Sequence, residues 1–353
     1  MPVPELLQRL LTTPGPSGHE SDAARVWRES CAQFSQDVGV SDSLGSSYAR
    51  VAGSDGGPTL AVVGHIDEIG LLVTHIDPGG YLHISGVGGW DPQVLIAQRV
   101  SLQTRGGQVA GVIGRRPIHL LKDDDRKKVP ELKDLRIDIG AQDADEAHKR
   151  VRIGDVAVID SEPLEFPHDR LLARSIDNRM GCFVAAEVAR IIAADGGAPG
   201  DVLAVAAAQE ETGLSGARTS AFAHRPDVAI VVDVTHATDQ PGVELGETTE
   251  HKLGSGPVIA RGTNLHPHVF ELLYTCAEEE NIPFTLESLA KGTGTDADVI
   301  HISRSGIPTG LVSVPCRYMH SPVEMVSLQD VDAAARLVAA FAKKLVPGLS
   351  FER

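Results

Sequence analysis

The segment DVLAVAAAQEETG, residues 201–213, decides both the fold class and the place to look for chemistry. Its first part is a short, continuous apolar run bounded by turn residues, which reads as a strand buried in a parallel sheet. Two adjacent carboxylates, Glu210 and Glu211, follow at once. Like charges on neighbouring residues repel, and a cation or a proton is the usual compensation. Working outward, other segments hold the ligand types a divalent metal uses. They are His65 in VVGHIDEIG, Asp177 in RSIDNRMG, Asp233 in AIVVDVTH and His320 in CRYMHSP.

The surrounding pattern gives those residues a common location. From about residue 165, apolar strands alternate with amphipathic helices. Strands are read at 202–208, 228–234 and 309–314, and helices at 177–192, 215–224, 267–280 and 328–345. Such alternation predicts an α/β fold with a mostly parallel central sheet flanked by helices. Sites in such sheets form at the carboxyl ends of strands. His65 closes a further strand at 59–64, and the Glu210–Glu211 pair and Asp233 also lie at strand ends, with His320 a few residues past one.

Residues 69–163 have a different character, with Gly-punctuated short strands (GLLVTHI, YLHIS, VLIAQRVSLQT, VAGVIG, VAVID) around the charged stretch LKDDDRKKVPELKDLRIDIG. This block predicts a small β-barrel or sandwich inserted into the larger domain. The expected organisation is a catalytic domain from 1–68 and 164–353, with a β-rich insertion at 69–163. Residues 4–12 read as a helix, and Ser17 to Glu20 fit a capping box opening a second helix that buries Ala23, Val26, Trp27 and Phe34.

Composition narrows the classes. The net charge of −16, from 32 basic and 48 acidic residues, argues against non-specific nucleic-acid binding, which needs a basic face. No apolar run reaches 18 residues, so no membrane span is expected. The N-terminus lacks a secretion signal, which predicts a cytoplasmic protein. The four cysteines are scattered with no CxxC pair and read as reduced core thiols.

Two histidines, two aspartates and two glutamates offer one carboxylate more than a five-ligand dinuclear site requires. Two metals can share a carboxylate and a water, and the extra carboxylate suits a general base. At this point the chain resembles a known family. The order GHIDEIG, SIDNR, QEETG, VVDVTH and RYMHSP, with PSGHE, LRIDIGAQDADEAHK and TGTDAD, is similar to the dinuclear-metal aminopeptidases of the tetrahedral (TET), glutamyl and deblocking type. The resemblance covers nearly the whole chain. It implies a zinc-exopeptidase-like catalytic domain, a PDZ-like insertion, and two divalent ions per subunit, zinc first, with cobalt or manganese able to occupy the same ligands. It implies that Asp177 bridges the metals, that His65 and Asp233 complete one, and that Glu211 and His320 complete the other. Glu210 becomes the base, and Asp67 the carboxylate that orients the His65 ring. The implied substrates are short peptides with free N-termini, and the implied assembly is a homo-oligomer built through the insertion, a dimer or a tetrahedral dodecamer.

Simpler readings compete at single positions. Asp177 also suits a helix N-cap, Asp233 a strand-end turn, Asp67 a solvent-facing or Arg-paired acid, and Glu68 a structural role. His236 is a candidate pocket residue, and GTGTDAD reads as a turn near the substrate pocket. Two other functions remain open. A carbohydrate hydrolase is disfavoured by the His and Asp set and by 4% aromatic content, since glycosidases use two carboxylates without a metal. A non-catalytic metal-binding assembly is disfavoured by the presence of Glu210.

Overall fold

The apolar runs become neighbouring strands because each has side chains for both faces of one sheet. The computed structural model describes residues 1–244 and 249–352. Strands β1 (Asp37–Val40), β2 (Ser47–Val51) and β3 (Gly57–His65) begin the main sheet. The chain then leaves it for β4 (Gly70–Ile76), β5 (Leu82–Val87), β6 (Arg99–Thr104), β7 (Gly107–Arg115), β8 (Leu135–Asp138) and β9 (Val156–Ile159). These close into an antiparallel barrel in the order β4-β5-β8-β7-β6-β9. After β10 (Leu164–Phe166) and β11 (Arg170–Ala173), the main sheet resumes. It adds β12 (Gly200–Ala207), β13 (Val228–His236), β14 (Val258–Gly262), β15 (Thr285–Leu289) and β16 (Thr309–Cys316). The last strand, β17 (Glu324–Ser327), pairs with β11.

The main sheet runs β1-β2-β12-β3-β13-β16-β14-β15. Its centre, β12, β3, β13 and β16, is parallel. An antiparallel hairpin, β1–β2, extends one edge, and β14 joins β16 antiparallel at the other. Strand β12, which carries the apolar run before Glu210, is therefore parallel to β3 on one side and antiparallel to β2 on the other.

Alternation along β3 divides the core in two. Leu60 and Val62 face a cluster built with α1 (Glu5–Thr12), α2 (Ser21–Cys31), α6 (Ile176–Ala194), α8 (Pro267–Glu279) and α10 (Leu328–Lys343). Ala61 and Val63 face the opposite cluster, with α7 (Ser215–His224) and α9 (Ala297–Ile300). The three short helices Pro92–Leu95, Asp123–Arg126 and Ala144–Arg150 (α3, α4 and α5) belong to the barrel region. Its separate core includes Leu71, Leu82, Leu102 and Ile137.

One close approach carries the functional geometry. A Cβ on Gly64 would lie 2.3 Å from the Gly181 carbonyl carbon, and one on Gly181 2.5 Å from the Val232 oxygen. Only glycine allows α6 to lie this near β3 and β13. The start of α6, with Asp177, is thereby brought beside His65.

The structure corrects four local readings. Ser17 to Glu20 do not form a capping box: α2 begins at Ser21, and no side chain caps it. Ser17 Oγ instead meets Thr212 Oγ1 at 2.7 Å, while Glu20 accepts from the Gly18 and Gln209 N–H groups. Phe34 lies beyond the end of α2, although it still packs against the core. The charged stretch LKDDDRKKVPELKDLRIDIG, to which no element was assigned, includes the helical turn α4 and the barrel strand β8. Strands β1, β2, β14 and β15 were not anticipated, because they are short, lie toward the two sides of the sheet and have weak apolar periodicity.

Candidate metal centre

Five elements deliver their polar residues to one end of the sheet. His65 is the last residue of β3, Glu210 and Glu211 follow β12, and Asp233 lies near the end of β13. Asp177 sits in the first turn of α6, and His320 follows β16. The sequence-predicted residues come together as three tight groups of ligand atoms, each within 4.8 Å of one another. The groups are His65 with Asp177 and Asp233, Asp177 with Glu211 and His320, and His65 with Glu210 and Glu211.

Asp177 stands at the centre. Its Oδ1 is 3.1 Å from His65 Nε2 and its Oδ2 is 3.3 Å from His320 Nε2. His320 Nε2 is 3.5 Å from Glu211 Oε1, and His65 Nε2 is 3.8 Å from Glu210 Oε2. The two oxygens of one carboxylate thus face two imidazoles from opposite sides. Asp177 joins Asn178 through a cis peptide bond.

The supporting shell is made of buried carboxylates that accept backbone N–H groups. Asp67 accepts from Glu210 N at 3.0 Å and Glu211 N at 3.1 Å, fixing the two residues of the pair. The Asp67 backbone oxygen is 3.2 Å from His65 Nδ1, and its carboxylate is 3.4 Å away. Ring orientation is therefore set by carbonyl and carboxylate together. Glu68 turns the other way. It pairs with Arg174 and with Arg179, the latter at 3.2 Å, and accepts the Gly15 N–H.

Two parts of the surroundings were missed in the sequence. Glu324, 2% exposed, accepts from Asp177 N at 3.0 Å and His320 N at 2.9 Å. The spacing HSPVE is a signal that could have suggested it, since His320 and Glu324 lie four residues apart. The barrel also reaches the site. A Cβ on Gly88 would be 3.1 Å from Glu211 Oε2, and one on Gly89 3.3 Å from His320 Nδ1. Nothing local to those glycines announces this, because the contact is made entirely by tertiary packing.

The electrostatics call for positive charge. Burial, followed by the Asp177 charge, pushes Glu211 up to about 9. Burial likewise raises Glu210 and lifts Asp233 well above the usual carboxylate range. Burial opposes protonation of His65, but Glu210, Asp177 and Asp67 outweigh it and raise that ring. His320 is raised first by its hydrogen bond to Asp177. The four carboxylates and two imidazoles of the cluster open onto a cavity of about 520 Å³ with no Lys or Arg among the described residues that line it. Divalent cations resolve this conflict, because they hold carboxylates ionised and imidazoles neutral. The donor set, nitrogen with oxygen, suits zinc and its neighbours among the divalent ions.

The cavity continues past the cluster along Thr235, His236, Glu287, Leu289 and Met319, and the turn Thr293–Gly294–Thr295 forms part of its wall. Asp296, next in that turn, is 1% exposed, and burial keeps its carboxyl well above the usual range.

Comparison with known proteins agrees with this architecture. The family model described as M42 glutamyl aminopeptidase matches residues 45–337. The chain is 35% identical over 346 residues to a lysyl aminopeptidase of Pyrococcus furiosus, covering 97% of each chain. It superposes with a TM-score of 0.92 on a TET aminopeptidase from the marine sediment archaeon Thaumarchaeota archaeon SCGC AB-539-E09. That pair is 37% identical, over 97% of this chain and 96% of the other. A Pyrococcus horikoshii TET1 peptidase, described as able to assemble into a tetrahedron or a large octahedral shell, gives 0.85 at 31% identity. That match covers 97% of this chain and 99% of the other. The chain belongs to the M42 glutamyl aminopeptidase family. It is a metallo-aminopeptidase, a hydrolase of peptide bonds. Among its described residues, no helix is long and apolar enough to cross a membrane.

Proposed function

We propose that the protein releases N-terminal residues, one at a time, from short cytoplasmic peptides, using two divalent cations and Glu210 as general base. The observation that carries this reading is the central position of Asp177, which two histidines approach from opposite sides. His65, Asp177 and Asp233 would hold one ion, and Asp177, Glu211 and His320 the other. Zinc fits best, with cobalt or manganese able to use the same donors. When bound, the pair would lower the pKa of a water and polarise the scissile carbonyl.

The residues of the chain do the rest. Glu210 belongs to neither of the two groups that share Asp177, only to the one with His65 and Glu211, and its carboxylate is assigned to take a proton from the attacking water. It then returns that proton to the departing amine nitrogen as the C–N bond breaks. Burial raises its carboxyl in the metal-free chain, and bound cations would offset that rise. Asp67 fixes the backbone of the pair, so that Glu210 is oriented without side-chain searching.

The barrel of residues 69–163 is assigned to self-association. Likeness to a peptidase that assembles into a tetrahedron or a large octahedral shell supports self-association, and the assembly proposed is a dimer, built on into a tetrahedral dodecamer. The test of the main reading pairs elemental analysis with a panel of aminoacyl p-nitroanilides and their N-acetylated counterparts. Two ions per chain and cleavage of the free amines alone are the expected result. Activity on a soluble glucan with none on the panel would replace this reading by the carbohydrate-hydrolase one.

A further inference from the structure

The substrate cavity contains five carboxylates, and four of them belong to the cluster. The fifth, Glu287, stands apart on β15, the edge strand of the sheet, paired in register with Ala260 of β14. Its Oε1 is 3.3 Å from Thr235 Oγ1. Thr235 is two residues beyond Asp233 on β13, so it points to the same face of the strand, roughly 7 Å further along. Glu287 therefore lies off the reacting centre, on the wall that a substrate side chain would meet.

Two features of this wall define what it accepts. The first is charge. Glu287 is partly buried, its hydrogen bond to Thr235 is long, and the one basic side chain near it among the described residues lining the cavity is His236, with no Lys or Arg. A carboxylate so placed loses hydration and is best matched by a charged donor. The second is shape. Leu289, Leu311 and Met319 line the same cavity and suit a methylene stem, which buries its carbons while its head stays polar. An acidic side chain would oppose Glu287, and a purely apolar one would leave Glu287 with Thr235 alone.

Building on the aminopeptidase reading, we infer that Glu287 is a specificity-determining residue that selects peptides whose first residue is lysine or arginine. The side-chain cation reaches Glu287, and the α-amine stays at the cluster end of the cavity.

The experiment measures kcat/KM for lysyl, arginyl, leucyl and glutamyl p-nitroanilides with the metal-loaded full chain. The native protein is expected to favour lysine and arginine over leucine by about tenfold or more, the scale of one charged hydrogen bond, and to handle glutamate worst. In Glu287→Gln the lysine-to-leucine ratio falls by about tenfold, mainly through KM for the lysyl substrate. Glu287→Lys inverts the ratio of lysyl to glutamyl turnover. Native protein that prefers leucine or glutamate overturns the inference, with no variant needed. So does an equal loss on all four substrates in Glu287→Gln, which would assign the carboxylate to the α-amine or to the fold. Failure to cleave any of the four would instead sink the aminopeptidase reading beneath it.

Discussion

Glu324 holds Asp177 by its backbone: one carboxylate oxygen accepts the Asp177 N–H at 3.0 Å while the other accepts the His320 N–H at 2.9 Å. The start of α6 and the loop after β16 have no covalent proximity, yet one side chain fixes both. Glu324→Gln keeps the shape but replaces one acceptor oxygen with a donor, which then confronts an N–H. The expected outcome is weaker metal retention, by about tenfold or more, as is usual for groups that support ligands. Competition with a fluorescent chelator reads this directly, and excess zinc should restore part of the activity. Unchanged affinity would deny Glu324 this role.

Glu210→Gln separates base from ligand. Metal content should stay near that of the native protein, because Glu210 is outside the two groups that share Asp177. The rate should fall by about two to four orders of magnitude, the range for a positioned acid or base. Loss of an ion in this variant would mean that the carboxylate binds metal instead. Asp177→Asn is the contrasting case, with reduced occupancy of both ions by elemental analysis.

Removal of metal should make stability depend on pH in a defined direction. Burial, then the Asp177 charge, raises Glu211 to about 9, whereas an unfolded glutamate titrates near about 4.3. The folded chain thus binds this proton more tightly than the unfolded chain. The stabilisation is complete below about pH 4.3 and is lost as pH rises toward 9. The thermal midpoint of chelator-treated protein should therefore decline between about pH 5 and pH 9, and zinc should recover most at the alkaline end. A flat profile, or one that rises, contradicts the assignment.

Glu68 supports the fold beneath the site. It neutralises Arg174 and the fully buried Arg179, whose guanidinium also donates to the Leu10 and Thr13 carbonyls. Glu68→Gln leaves two buried cations without their carboxylate. Breaking a buried pair in this way costs about 3–5 kcal/mol, measurable by urea denaturation. A change below about 1 kcal/mol, the scale of an exposed pair, would place the charge balance elsewhere.

The sequence revealed those parts of the site whose chemistry and position coincide. Strand-ending His65 and Asp233 and the Glu210–Glu211 pair follow recognisable apolar runs, so the sheet edge could be read before any coordinates. The central strands β3, β12, β13 and β16 were legible for the same reason. Glu324 was not, because a carboxylate that serves backbone N–H groups looks like any other acid in a turn. Gly88 and Gly89 were equally silent, since their contact with Glu211 and His320 depends on how the barrel docks. The SGHE segment misled for an instructive reason. Its pattern matched a local cap, but Glu20 accepts a hydrogen bond from Gln209, 189 residues away.

That distant bond ties the chain's beginning to the loop after β12 that carries the Glu210–Glu211 pair. Ser17 meets Thr212 and Glu20 meets Gln209, so the residues on both sides of the Glu210–Glu211 pair are braced by a segment carrying no ligand and no base. Deleting the first twenty residues would spare every proposed ligand and the proposed base, yet remove both braces together with the buried Leu7, Leu10 and Leu11 of α1.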